Sequence, residues 1–157
     1  GLVGSEMCIR DRGKRAVSME MEKHTSLKHN SFFKPNRTPH DYLSRDHGRV
    51  DSYVEDELCG FPKTTQMWLD LKSGFGGLWT KKSYKEIDPE TRVLVVTGDK
   101  DPINNNGKQA ERMHNSFVDI GLNSEIEVYP DMRHEPLNEI GREEVFKRME
   151  SFFSKQS

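Results

Sequence analysis

The segment Arg92-Val-Leu-Val-Val-Thr-Gly-Asp-Lys-Asp-Pro102 joins a predicted strand to a tight turn. Its first part is mostly apolar and rich in β-branched side chains, which is typical of a strand buried on both faces of a parallel sheet. The run ends at Gly98, and Asp101 follows directly in the turn. The pattern therefore places Asp101 on the loop that leaves the carboxyl end of a buried strand.

A helix and a second strand follow this loop. The next apolar residues are spaced three and four apart, as one face of a helix requires. They are Ala110, Met113, Phe117 and Ile120. Gly121 is placed to cap that helix. Glu125-Ile-Glu-Val-Tyr129 then alternates polar and apolar, which favours a strand nearer the sheet edge, and Pro130 ends it. The order strand, helix, strand predicts a βαβ unit with parallel strands.

The second strand leads into a loop that carries His134. Since neighbouring parallel strands end on the same rim of the sheet, the loops of Asp101 and His134 leave that rim side by side. Open α/β sheets bind their ligands there. A carboxylate at this rim accepts the imidazole Nδ1–H and leaves Nε2 to take a proton from a nucleophile. We therefore expect a hydrogen bond between Asp101 and His134.

The two loops resemble the acid and histidine loops of α/β-hydrolases of the monoacylglycerol lipase, lysophospholipase and serine aminopeptidase-like group. The resemblance rests on residues 93–102 and 129–139, and on two upstream segments, 36–46 and 58–62, that are similar to the lid of bacterial members. It implies an α/β fold, namely the last two parallel strands of an α/β-hydrolase with their crossover and C-terminal helices, plus a helical lid. It also implies that Asp101 and His134 are the acid and base of a Ser-His-Asp triad.

One part of that triad is missing from the chain. The nucleophile of the group lies in a G-x-S-x-G turn, and these 157 residues contain no such motif. We therefore expect the C-terminal part of a serine hydrolase, inactive on its own. Residues 1–12 fit no element of the group and resemble translated sequencing-adapter read-through, so they are excluded from fold reasoning. The remainder divides into a mainly helical lid, residues 13–80, and a βαβα part of the core, residues 81–157.

The lid is expected to cover the rim of the sheet, where five apolar side chains are candidates for a substrate pocket. They are Phe61, Met67, Trp68, Phe75 and Trp79. Alternatively, these residues only pack the lid onto the core.

Composition limits the classes of partner. The 24 basic and 26 acidic residues are scattered and give a net charge of −2, so charge provides no reason to expect a nucleic-acid partner. The longest aliphatic run, residues 93–96, is too short to span a membrane, and no secretory signal pattern opens the chain. We expect a cytoplasmic protein without stable membrane insertion, and the oligomeric state stays open.

For the intact protein, the resemblance implies acyl transfer to water, with no cofactor and no metal. The expected substrate is a small-molecule ester or lipid, such as a lysophospholipid or a monoacylglycerol. Two alternatives stay open. One is a serine aminopeptidase-like peptidase, and the other is a non-catalytic binding protein of the same fold that has lost its serine.

Overall fold

The computed structural model describes residues 13–17, 23, 25–76, 78 and 80–154. Its helices are α1 Ser26–Asn30, α2 His47–Glu55, α3 Thr65–Phe75, α4 Lys81–Tyr84, α5 Lys108–Asp119 and α6 Arg142–Ser154. Its strands are β1 Arg92–Gly98 and β2 Asn123–Tyr129, and short 3-10 turns cover Ser31–Phe33 and Pro136–Asn138. The segment interpreted as adapter sequence, residues 1–12, and the pocket candidate Trp79 lie outside the described residues.

The sheet consists of β1 and β2, which pair in parallel. The register runs from Arg92 opposite Asn123 to Gly98 opposite Tyr129. Helix α5 connects the two strands, so the predicted βαβ unit is present. Both strands therefore end on one rim, and the loops that follow them start next to each other.

Strand β1 is less buried than its apolar sequence predicts. Only Thr97 and Gly98 are buried, whereas residues 92–96 are half-buried, so burial of the whole strand on both faces was a wrong expectation. Within the described residues β2 is the only strand paired with β1, so the other edge of β1 forms no strand pairing there. The buried end of β1 is the end that carries the site.

Helix α5 ends as its sequence indicates. Gly121 adopts a left-handed conformation with φ +89°, which glycine tolerates without strain. Its N–H donates to the carbonyl of Val118 at 2.9 Å, and the N–H of Leu122 donates to the carbonyl of Phe117 at 3.0 Å. This pair of bonds is a Schellman cap, and it turns the chain from α5 into β2.

The core of the βαβα part lies between the sheet and α6. It is formed by Tyr129, Met132 and Val145, with Val96 and Met149 packed against them. The apolar residues of α6 do not form a single buried face. Val145 and Phe152 are buried, but Phe146 is 48% and Phe153 57% exposed. The reason is helical spacing, because the two exposed residues lie on the stripe next to the one that contacts the sheet.

The lid segment, predicted to be mainly helical, contains α2 and α3. Each begins at a capping side chain. Asp46 accepts the N–H groups of Gly48 and Arg49 at the start of α2, and Thr64 accepts that of Met67 at the start of α3. None of the helices in the described part of the chain is long and apolar enough to cross a membrane. The boundary between lid and core at residue 80 stays a prediction.

Replacing Val145, which is fully buried, with alanine is expected to lower the free energy of unfolding by about 2 kcal/mol, because the methyl groups leave a cavity under the sheet. Val118→Ala is the matched control, since Val118 is also helical but 49% exposed, and it should cost less than about 0.5 kcal/mol. Urea unfolding followed by circular dichroism measures both. Equal losses in the two variants would contradict the assigned core.

Candidate active site

Asp101 is held on the rim of the sheet by its own loop. The residue is buried, and its carboxylate oxygen Oδ1 accepts the N–H of Ile103 at 2.9 Å. Its backbone carbonyl accepts the N–H of Asn106 at 2.7 Å. One carboxylate oxygen is thus fixed by the turn, which leaves Oδ2 directed at the neighbouring loop.

That neighbouring loop brings His134 to Asp101. The His134 Nδ1 atom lies 3.0 Å from Asp101 Oδ2, so the hydrogen bond expected from the sequence is present. Because Nδ1 donates to a carboxylate, the neutral imidazole carries its proton on Nδ1 and its lone pair on Nε2. The His134 side chain is 35% exposed. This arrangement presents a base to a group arriving from outside the rim.

A close backbone approach between the two loops makes this contact possible. A Cβ atom added to Gly98 would lie 2.0 Å from the carbonyl oxygen of Met132, which no other residue type would tolerate without moving the loop. The same Met132 carbonyl accepts the N–H of Lys100 at 3.0 Å. The end of β1 therefore needs a glycine so that the histidine loop can lie directly on it.

Asp99 connects the acid loop to the histidine loop. Its Oδ1 atom accepts the N–H of Asp131 at 2.6 Å, and its N–H donates to the carbonyl of Tyr129 at 3.0 Å. Asp131 adopts a left-handed conformation with φ +61° at the start of the histidine loop. Asp99 thus ties the acid loop to the histidine loop. Its position after the strand was visible in the sequence, but its partner was not.

Residues 41–45, the base of the lid, support the other side of the histidine loop. The N–H of His134 donates to the carbonyl of Tyr42 at 3.3 Å, and the N–H of Glu135 donates to the carbonyl of Leu43 at 2.9 Å. The Tyr42 ring lies 6.2 Å from the His134 ring and 6.1 Å from that of His29, centroid to centroid. His29 thus belongs to the surroundings of the site, and no motif in the sequence indicated it.

Electrostatics around the imidazole favour its charged form. The hydrogen bond to Asp101 raises the pKa of His134 above its ordinary value, against the opposing effect of burial. The charges of Asp101 and Glu135 raise the pKa of His134 further. For His29, burial lowers the pKa, with Lys28 acting in the same direction. The site therefore stabilises a positive charge on His134 and disfavours one on His29.

Two of the five candidate pocket residues line one cavity, and a substrate pocket formed by all five stays a prediction. A cavity of about 530 Å³ runs along α3, and Met67 and Phe75 are in its lining with Leu71 and Leu78. Phe61 is exposed and is not part of that lining. Trp68 is also absent from the lining, and the Lys63 ammonium lies 5.8 Å from its ring centroid.

Comparisons with known proteins give the family of this chain from a family model and its fold from solved structures. The family model described as serine aminopeptidase, S33 (Hydrolase_4) matches residues 5–141, which includes part of the segment interpreted as adapter sequence. The origin of that segment stays a prediction. A comparison with curated protein sequences gives no match.

Two solved structures are similar to the chain over nearly its whole length. One is a highly thermostable carboxyl esterase from Bacillus coagulans in complex with glycerol, with a TM-score of 0.85 at 20% identity. The alignment covers 98% of this chain and 51% of the esterase chain. A lipase in an open form has a TM-score of 0.84 at 18% identity, with 99% and 51% covered. The chain thus spans about half the length of both structures, and the likeness shows their fold.

Gly98→Ala is expected to destabilise the chain by roughly 1–3 kcal/mol or more, because the new Cβ displaces the Met132 carbonyl. The control is Gly74→Ala. A Cβ at Gly74 meets nothing within 4 Å, and the helical position should gain about 0.5–1 kcal/mol. Urea unfolding compares the two variants. A neutral Gly98→Ala would mean that the two loops are not in contact as described.

The titration midpoint of His134 is expected to lie above the ordinary histidine pKa of about 6.5, since the hydrogen bond to Asp101 raises the pKa of His134. Asp101→Asn should shift that midpoint to lower pH. The pKa of His134 is thus higher in the folded chain than in the unfolded chain. The stabilisation that protonated His134 contributes is therefore fully present below the pKa of the unfolded chain and is lost as pH rises through the pKa of the folded chain. NMR of ¹⁵N-labelled histidine measures the midpoint, and an unchanged value in Asp101→Asn would refute the assignment.

Proposed function

We propose that this chain, which belongs to the serine aminopeptidase S33 family of α/β-hydrolases, is the C-terminal part of a serine hydrolase that cleaves carboxylic esters. The observation that carries the proposal is the 3.0 Å hydrogen bond between His134 Nδ1 and Asp101 Oδ2. It joins two loops at the ends of adjacent parallel strands, the rim where α/β sheets bind ligands. The nucleophilic serine would lie in a part of the protein outside these 157 residues.

The reaction would proceed in two acyl-transfer steps. His134 Nε2 takes the proton of the serine hydroxyl as its oxygen attacks the ester carbonyl, and returns that proton to the departing alcohol. Water then attacks the acyl-enzyme, and His134 again accepts and returns a proton. Throughout, Asp101 orients the imidazole and stabilises its charged form. Backbone N–H groups outside this chain would stabilise the oxyanion, and no step requires a cofactor or metal.

Esters of lipids, such as lysophospholipids or monoacylglycerols, are the preferred substrates. The two similar solved structures are a carboxyl esterase and a lipase, which supports ester rather than amide chemistry. The apolar part of the cavity lining along α3, which includes Met67, Leu71 and Phe75, would suit an acyl group.

A serine aminopeptidase-like activity is the second candidate, and the description of the matching family favours it. The same His134 and Asp101 would then serve the attack on an amide carbonyl and the protonation of a departing amine. Parallel assays with a p-nitrophenyl ester and an amino-acid p-nitroanilide separate the two activities. The ester is expected to be the better substrate.

The proposal is tested in the complete reading frame that contains this chain. His134→Ala is expected to reduce kcat for a short p-nitrophenyl ester by roughly 10⁴-fold or more, since no other group replaces the base. His47→Ala is the matched control. His47 is exposed at the start of α2 and should be replaceable without loss of activity.

Equal activity in the wild type and His134→Ala would exclude the assigned base. An intact fold with no activity on either substrate, together with a G-x-S-x-G turn in which the serine is replaced, would instead identify a non-catalytic binding protein of this fold.

A further inference from the structure

Glu139 is a fully buried carboxylate in the loop that follows His134. Its Oε1 atom accepts the N–H groups of Arg45 at 3.0 Å and of Arg133 at 2.9 Å. Its Oε2 atom accepts the Nε–H of Arg45 at 2.9 Å and the N–H of Ile140 at 3.0 Å. All four bonds have N–H donors, so the site is built for an acceptor that carries two oxygens.

These bonds connect two segments that are far apart in sequence. Arg45 belongs to the base of the lid, 94 residues before Glu139, whereas Arg133 directly precedes His134. One carboxylate therefore holds the backbone next to the imidazole and the backbone of the lid at the same time. A fully buried carboxylate that lost these donors would carry a high desolvation cost, so the native state keeps this joint between the histidine loop and the lid formed.

Arg133 strengthens the same joint from the opposite direction. Its guanidinium donates to the backbone carbonyls of Asp41 and Ser44. It lies over the ring of Phe33 at 4.1 Å from the centroid. The Ser44 hydroxyl donates to the carbonyl of Asn138 at 2.9 Å. Side chains of the histidine loop thus donate hydrogen bonds to the lid backbone, and a lid side chain donates one to the backbone of the histidine loop.

From this geometry we infer that Glu139 is a positioning residue for His134, acting through the backbone of residues 133–134 and the lid base at residues 41–45. The inference rests on the proposed function, because the position of the imidazole matters most if it transfers protons. Asp101 fixes one end of the ring, but the loop that carries the ring is fixed to the lid by Glu139. Without that attachment, Nδ1 is free to leave Asp101 Oδ2.

The experiment uses the complete protein that contains this chain, with ¹⁵N-labelled histidine, and follows the His134 titration and its Nδ1–H signal by NMR. The charged or titratable groups that face His134 are Asp101 on the acid loop, Glu135 on its own loop and His29 on α1. Glu139→Gln is compared with Glu143→Gln, which removes the same charge from an exposed position at the start of α6. Retained helical circular dichroism confirms that each variant folds.

Glu139→Gln is expected to move the His134 midpoint to lower pH and to shift or broaden the Nδ1–H signal, while Glu143→Gln leaves both unchanged. Glu139→Asp separates position from charge. It keeps the negative charge but is one methylene shorter and cannot reach all four donors, so it should behave like Glu139→Gln. If the charge alone acted on His134, Glu139→Asp would behave like the wild type, and the inference would fail.

Arg45→Met is the second variant, from the lid side of the joint. It removes the Nε–H bond to Glu139 and the Nη2–H bond to the Ile140 carbonyl but keeps the backbone N–H bond to Glu139, and the residue is only half-buried, so it carries the test if Glu139→Gln does not fold. Its effect on the Nδ1–H signal should be in the same direction and smaller. Folded variants that lose thermal stability but keep the wild-type His134 signals would overturn the inference and leave Glu139 as a purely structural residue.

Activity of the complete protein provides an independent reading. Glu139→Gln is expected to lower kcat by roughly 10- to 100-fold with little change in KM, because a displaced base slows the chemical steps more than binding. If the wild-type protein hydrolyses no ester, the proposed function fails, but the NMR comparison still decides whether Glu139 positions His134.

Discussion

The close approach of the Met132 carbonyl to Gly98 is the constraint on which the site depends. Because residue 98 has no side chain, the histidine loop lies directly on the end of β1. Asp99 then binds the N–H of Asp131, and Lys100 binds the Met132 carbonyl. These contacts bring the two loops to a fixed separation, and the 3.0 Å hydrogen bond between His134 and Asp101 is the result. A side chain at position 98 would separate the acid from the base before any chemistry is considered.

The histidine loop is held from two sides, by the sheet and by the lid. On the sheet side the acid loop contributes two backbone N–H groups and the carboxylates of Asp99 and Asp101. On the lid side the buried carboxylate of Glu139 and the guanidinium of Arg133 add to two backbone bonds. Every acceptor position of Glu139 is occupied, and a fully satisfied polar network of this kind holds one arrangement in preference to others. Residues 41–45 of the lid therefore help to hold His134, the proposed general base, in addition to any role of the lid in covering the rim of the sheet.

The sequence predicted the elements that follow from local periodicity and missed those that depend on distant partners. The βαβ unit, the cap at Gly121 and the pairing of Asp101 with His134 follow from apolar spacing and from the rule that parallel strands end on one rim. The attachment of Glu139 to Arg45 spans 94 residues, and no local pattern encodes it. The half-burial of β1 has the same origin, because burial depends on which elements pack nearby.

In the proposed mechanism, Asp101 and His134 activate a serine that lies outside this chain. Treating the complete protein with a fluorophosphonate, which forms a covalent bond with an activated serine, and locating the label by mass spectrometry tests this mechanism. We expect a single labelled serine in a G-x-S-x-G turn before residue 13 of this sequence, with labelling lost in His134→Ala. Labelling that persists in His134→Ala, or a label on a serine within residues 13–157, would contradict it.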